Sequence, residues 1–572
     1  MPGFYCMEKT SKYFSNNTCL KIGNGEVGGK AAGLLKAASI LPGMKNIPST
    51  INLFIPGMAV VASDIFDKFI ERNNLLEYAI NENDERYLVN KFIDSVFPNE
   101  FLGELYNILN EAKFPLAVRS SGMLEDSTDE PFAGVYKTKM INPQPGAPDL
   151  RFKRFIDSIK YVYASVYSNA AKNYFTLAGH PIEKEKMAVI IQRIAGQKHY
   201  NRFYPDFSGV AKSYNFYPFG KARPEDGIVH LALGLGKTIV DGDIVWSYCP
   251  KYPRHSLPYK SVRDIVQLTQ KKFWAVDISP GVKYDPLKET EFLTHEELNT
   301  AEYDNVLKNI VSTYIPNDDK IIMGSGKDGP RIINFAPLIE LNMYGFNDFI
   351  KMLLKICEEE YNSPVEIEFA CWQDYKKGIL NFAFLQVRPM KKYAYAVNMD
   401  ESEEETGRIL LKSSKVLGHG ISEEITDIIM VKMENFDIKN SVAIANEISQ
   451  MNKKIIDENK RYILIGYGRW GSADPWLGIP VEWTDVNAAK AIVEINMKNF
   501  YVEFSQGSHF FHNMSNLDVY YFSLNYDTDY IDWKWIEEQK TIEELKFVKR
   551  IRTENKLIIK VDGKKGKGVI LR

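Results

Sequence analysis

Residues 116–138 read "LAVRSSGMLEDSTDEPFAGVYKT". The stretch opens as a buried strand, Leu-Ala-Val, then turns to an arginine, two serines, an acidic cluster and a Phe-Ala-Gly turn. A surface loop needs the polar residues but not the apolar run before them, and a core strand needs the run but not the arginine. A site that holds a polyanion at a strand end uses both. Arg119 supplies planar, bidentate donors matched to phosphate oxygens. Gly134 lets backbone approach a ligand closely, because glycine has no Cβ. A second reading pairs Arg119 with Glu125 or Asp126 in an ordinary ion pair, and this stretch alone does not separate the two.

Two other stretches carry related chemistry. "GNGEVGGKAAG", residues 23–33, places Lys30 where a glycine turn meets a helix start. Amides at a helix amino terminus and one lysine make a phosphate cradle. The spacing is not that of a GxxxxGK[ST] loop, and glycine turns before helices also serve structure alone. In "VEIEFACWQDYKKGILNFAFLQVRPM", residues 365–390, Glu366 and Glu368 share one strand face while Gln386 and Arg388 share a face of the later strand. A hairpin would join carboxylate, amide oxygen and guanidinium. That group suits Mg²⁺ bridging phosphates, since magnesium prefers hard oxygen ligands and retains waters. A plain hairpin with solvated alternate residues explains the alternation but not the clustering of these three types.

Size and composition bound the rest. A chain of 572 residues is too long for one ordinary core and implies two to four domains or subdomains. Hydrophobic content of 45% with 13% aromatics supports packed globular structure. The net charge of -3, from 71 basic and 74 acidic residues, gives no bulk attraction to nucleic acid or an anionic membrane, so neither is expected as a partner. Phosphate chemistry must then come from local basic residues. Five scattered cysteines without CxxC argue against a disulfide framework or a cysteine zinc site, and a cytoplasmic protein is expected. The sequence has neither a signal-peptide pattern nor an apolar run of about 18 residues.

Strand-like runs at 115–118, 187–192, 228–233 and 379–387 mix with helical periodicity at 152–176 and 347–361. There is no regular βαβ alternation, which predicts an α+β fold. The acidic "NMDESEEETGR", residues 398–408, suits a solvated linker. It would divide a domain at 1–397 from a smaller α/β domain at 409–572, within the usual domain size.

Taken in order, these stretches resemble the ATP-grasp nucleotide-binding domain of phosphoenolpyruvate synthase and pyruvate phosphate dikinase. That family runs GGK before an apolar helix, then VRSSA with ED and FAG, a strand ending in Gln, D-x-E and QxRP. This chain has "GGKAAGL", "VRSSGMLEDSTDEPFAGVYKT", "MAVIIQRI", "FSGVAKS", "LGLGKTIVDGD" and "EIEF" with "LQVRP", across residues 20–392. The resemblance implies a two-lobed ATP-grasp domain, ATP and Mg²⁺ as cofactors, and a phosphotransferase activity. It further implies that Lys30 and Arg119 hold nucleotide phosphates, Gly134 and Thr138 line the loop over them, and Gln192 contacts the nucleotide near the base. Glu368 and Gln386 would coordinate Mg²⁺, and Arg388 would stabilise the transferring phosphoryl group. Gly122 stands where the family usually has alanine, and Glu366 where it usually has aspartate.

The dikinases continue with a swivelling domain bearing a TSHxAI-type histidine, and then a pyruvate-binding barrel. Neither motif occurs here, and about 165 residues cannot form a barrel of about 250. The acceptor is therefore expected to be a histidine or a small molecule in the second domain, which resembles the carboxy-terminal region of phosphoenolpyruvate-synthase-like proteins. Within it, "YILIGYGRWGSADPWLGIPVEW", residues 462–483, reads as a buried strand and a glycine loop carrying Arg469. Such a loop binds an anion through successive amides, with Asp474, Trp476 and Glu482 as a substrate wall; a structural turn rich in aromatics fits equally. "SQGSHFFHNM", residues 505–514, holds His509 and His512, nucleophilic near neutral pH. His509 is the candidate relay, with a packed structural histidine as the alternative and His419 a weaker candidate. The rival functions are a nucleotide-sensing scaffold and an ATP-grasp carboxylate–amine ligase.

Overall fold

The computed structural model describes residues 13–125, 134–142, 146–254, 261–390, 397, 408–472, 474–496, 508–516, 519–525 and 529–572. The chain forms two compact units. One comprises Met1–Ser213, Asp226–Thr238 and Val245–Met390; the other comprises Tyr214–Glu225, Ile239–Ile244 and Lys391–Arg572. Two short stretches of the amino-terminal part thus group with the second unit. The acidic run 398–408 lies outside the described residues apart from Arg408.

The first unit is built on two principal sheets. The first has five strands in the order Cys19–Ile22, Met58–Val61, Met187–Arg193, Leu116–Gly122 and Thr138–Ile141. Only its outermost pair, Cys19–Ile22 with Met58–Val61, is parallel. The second has six strands in the order Trp246–Tyr248, Ile228–Leu233, Phe207–Lys212, Val365–Asp374, Ile379–Pro389 and Ile51–Phe54. The helix Gly28–Ile40 presents Ala31, Leu34 and Ala37, three residues apart and so on one face. They share a core with Met58, Val60, Ala188 and Ile190 of the first sheet and with Ile367 and Val387 of the second. One helix is therefore packed into both sheets, and it carries Lys30. The helix Phe346–Tyr361 buries Phe346, Phe349, Ile350, Leu353, Leu354 and Cys357 by the same periodicity.

Helices and strands mix without repeated βαβ units, so the class is α+β. One local expectation changes. Residues 152–176 form two helices, Pro148–Ala164 and Asn169–Ala178, separated by a 3₁₀ turn at Ser165–Tyr167. Ser168 restarts the helix by accepting from the Ala171 amide at 3.3 Å. The apolar run after Thr50 becomes two strands, Ile51–Phe54 and Met58–Val61, which belong to different sheets. Pro56 and Gly57 make the break, and a Cβ at Gly57 would lie 2.4 Å from the Phe14 backbone.

The second unit holds a ten-stranded mixed sheet. Its centre is parallel: Gly420–Val431, Tyr462–Tyr467, Ala489–Asn496 and Tyr520–Asn525 lie side by side. Val548–Asp562 runs antiparallel to Gly420–Val431 and turns back as Lys567–Leu571. The helix Ser441–Asp457 buries Ile444, Ile448, Met451 and Ile455, the i, i+4, i+7 pattern of a core-facing stripe.

Candidate functional site

The strand Leu116–Gly122 runs straight through Arg119, so the sequence expectation of an arginine at a strand end is corrected. The strand continues because Ser120 and Ser121 are buried with their hydroxyls satisfied. Ser121 Oγ donates to the Val27 carbonyl at 2.8 Å and accepts from the Ala31 amide at 3.0 Å. This bond ties the strand to the start of the Lys30 helix. Gly28 makes the approach possible: its φ is +75°, and a Cβ there would lie 1.8 Å from the Ser121 carbonyl oxygen.

Lys30, third in its helix and buried, donates from Nζ to Glu125 Oε1 at 2.6 Å and to Ser120 Oγ at 3.1 Å. Glu125 is thus the partner of Lys30 and not of Arg119. Arg119 reaches to the other sheet. It donates from Nη1 to Gln192 Oε1 at 3.1 Å and to the Leu385 carbonyl at 3.0 Å, and from Nη2 to Gln386 Oε1 at 2.6 Å. Its Nη2 also lies 3.9 Å from Glu368 Oε2.

The hairpin of Val365–Asp374 and Ile379–Pro389 sets the other side. Its register pairs Glu366 with Arg388 and Glu368 with Gln386, so the side chains grouped by alternation do meet. Arg388 is buried, forms an ion pair with Glu366, and sits 3.7 Å from Glu368 Oε1. The other oxygen of Glu366 is 2.7 Å from Lys212 Nζ. Burial pushes the Lys212 amine below its usual range, and Glu366 acts against that shift. The sequence reading passed over Lys212. Its signal was a lysine closing an otherwise apolar strand, Phe207–Lys212, which faces Glu366 in register.

Glu368 is the most open carboxylate of this row, its side chain 18% exposed. With the Gln386 oxygen, which here accepts from Arg119 at 2.6 Å, it gives two hard donors that would fit Mg²⁺ once Arg119 turns to phosphate and waters and phosphate oxygens complete the shell. Among the described residues no group of three or more His, Cys, Asp or Glu side chains forms a ready-made metal cage. Thr138 opens its strand opposite Arg119 in register. Gly134 has φ +70°, whereas Phe132 and Ala133 of the same turn lie outside the described residues. Gln192 is buried, donates to the Pro56 carbonyl at 3.2 Å and joins the Arg119 network.

Glu185 was also not foreseen. It accepts from the Met123 amide at 3.0 Å, and burial pushes its carboxyl up to about 7, with Glu125 adding to the shift. It thus braces the chain that follows Gly122.

In the second unit, Arg469 is buried in a two-residue strand flanked by Gly468 at φ +73° and Gly471 at φ +70°. Asp474 and Glu482 serve local turns: Asp474 accepts from the Trp476 amide at 2.9 Å, and Glu482 forms a capping box with Asp485. Trp476 is exposed. His509 starts the helix His509–Asn516 and is half-buried beside the buried Phe510 and Phe511. The His512 side chain lies outside the described residues. His419 sits 3.7 Å from Asp562 Oδ1 in the interior.

Two sheets joined along a seam of cations, carboxylates and amides, beside a glycine-started helix whose lysine pairs with Glu125, define a nucleotide-binding unit of the ATP-grasp class. The family model described as pyruvate phosphate dikinase, AMP/ATP-binding domain, matches residues 24–408, and the chain belongs to this family. A search of curated proteins gives no match. Among the described residues no helix is long and apolar enough to cross a membrane.

Proposed function

We propose that this chain is an ATP- and Mg²⁺-dependent phosphotransferase that passes a phosphoryl group from ATP to a histidine or a small-molecule acceptor. The observation that carries the reading is the convergence of Arg119, Arg388, Glu368 and Gln386 on one seam. They do so in a domain whose family binds AMP and ATP. Phosphoryl transfer requires little covalent work from the protein; it requires in-line positioning and cations where charge develops. Arg119 and Lys30 hold the nucleotide phosphates, beneath the loop of Gly134 and Thr138. Lys30 reaches them by exchanging Glu125 for phosphate oxygens, and Gln192 contacts the nucleotide near the base. Arg388, kept in place by Glu366, faces the transferring group. Glu368 and Gln386 would hold Mg²⁺, which would supply charge neutralisation to the nucleotide. His509 is the candidate protein acceptor.

Product analysis tests this. AMP plus phosphate indicates dikinase-type chemistry, and ADP alone a kinase or ligase. Incubation with labelled Mg·ATP should give an acid-labile, base-stable phosphoprotein that is lost in His509→Ala and retained in His512→Ala. ATP consumption with no label on histidine moves the acceptor to a bound small molecule. If Mg·ATP binds but neither AMP nor ADP is released with any acceptor, the transferase reading fails and a nucleotide sensor remains.

A further inference from the structure

The parallel strands of the second unit end together, at Val431, Tyr467, Asn496 and Asn525. In open parallel sheets, ligands settle in the crevice beyond such carboxyl ends. Here one sheet face changes character there. Gly466, Glu494 and Ser523 lie side by side in register, with Asn496 opposite Asn525 one step further and Tyr521 one step earlier. A buried parallel sheet normally carries apolar side chains at such positions.

Glu494 is fully buried and accepts from the Tyr521 hydroxyl through Oε2, while its Oε1 has no hydrogen-bond partner among the described residues. Asn496 is buried as well. Its Nδ2 donates to Ser523 Oγ at 3.2 Å, and its Oδ1 lacks a partner among the described residues. Two neighbouring buried acceptors without donors are unfavourable unless something else supplies the hydrogens. Close enough to act on Glu494 through its charge is Arg469, carried by the loop whose Gly468 amide donates to the Ile495 carbonyl at 3.1 Å. Its charge acts on both Glu494 and Tyr521. Burial pushes the Glu494 carboxyl up to about 7, opposed by the Tyr521 hydroxyl, the Arg469 charge, the Trp470 amide and Lys415.

We propose that Arg469, Glu494 and Asn496 form a binding site for a small hydroxylated carboxylate. Arg469 takes the anionic group, and Glu494 Oε1 with Asn496 Oδ1 accept from the ligand's hydroxyls. A phosphate ester fits less well, because a carboxylate and an amide oxygen flanking one guanidinium repel further anionic oxygens. Binding here is a property of the second unit and needs no nucleotide. That the bound molecule is also the phosphoryl acceptor rests on the function proposed above.

Calorimetry on the full-length protein, without nucleotide or Mg²⁺, tests it with three probes on one carbon skeleton: glycerate, propionate and glycerol. Glycerate should bind at least about tenfold more tightly than propionate, which lacks hydroxyls, or glycerol, which lacks charge. Asn496→Ala should weaken glycerate about tenfold and Arg469→Met should abolish its binding, with unchanged hydrogen exchange of peptides covering Gly420–Val431 and Tyr462–Tyr467 in both as proof that this unit is folded. Should Arg469→Met not fold, Arg469→Lys, which keeps charge without the planar fork, should show the weakening instead. No glycerate binding by the native protein, equal affinity for the three probes, or indifference to the Asn496 and Arg469 changes each overturns the proposal. An inactive nucleotide site would leave these results untouched.

Discussion

Replacing Glu366 by glutamine removes the anion that lies between two buried cations. Lys212 Nζ is 2.7 Å from one carboxylate oxygen, and the Arg388 guanidinium is paired with the other. Exposure is 1% for Glu366, 2% for Lys212 and 2% for Arg388, so water cannot take over either cation. Removing one partner of a buried pair typically costs about 3–5 kcal/mol, and Arg388 keeps Glu368 Oε1 at 3.7 Å as a remaining counter-charge. The Lys212 amine already sits below its usual range through burial. Without Glu366 it can shed its proton, which moves the expected loss toward the lower bound, about 3 kcal/mol. Lys212→Met removes one cation and leaves the Glu366–Arg388 pair intact. The double variant should therefore lose less than the sum of the single ones, with a coupling of about 1–3 kcal/mol. Hydrogen exchange of peptides covering Phe207–Lys212 and Val365–Asp374 reads this unit directly, which a global melt of a two-unit chain does not. ATP turnover adds a second readout: Glu366→Gln should depress it far more than Lys212→Met, since only the former releases Arg388. Single effects that add to the double within about 0.5 kcal/mol would refute the triad.

Glu368→Gln keeps shape but removes the charge that attracts Mg²⁺, so turnover should drop by on the order of a hundredfold while Mg·ATP affinity changes much less. Steady-state kinetics beside calorimetry separate the two, and equal losses would place Glu368 in the scaffold. Glu185 has its folded-state carboxyl raised from 4.5 to about 7. Its contribution is thus fully present below the unfolded value and lost as pH rises through the folded one, in total about 3 kcal/mol at 1.36 kcal/mol per pH unit. Glu185→Gln should gain stability relative to the native protein as pH climbs through that window, and a difference independent of pH in urea titrations would contradict it.

Family, class and the chemistry of the seam were legible in the chain because they reside in short patterns. Strand alternation put Glu366 with Glu368 and Gln386 with Arg388, and the hairpin register then brought the pairs face to face. The glycine turn before Lys30 marked a helix start, and the helix does begin there, at Gly28. Partner choice was not legible. Lys30 meets Glu125 across 95 residues, and Arg119 meets Gln386 across 267; no local period encodes which of several carboxylates or amides a cation will find. Lys212 drew no reading from the sequence, because Glu366 comes beside it only from a strand far along the chain. The same holds for Glu494 and Asn496, ordinary alternate residues of a strand: that Glu494 Oε1 and Asn496 Oδ1 lack a partner among the described residues is visible only once Tyr521 and Ser523 lie beside them. Local sequence fixes what each side chain can do and which face it shares. Burial and long-range pairing, which set the charge balance at both sites, arise only when the sheets assemble.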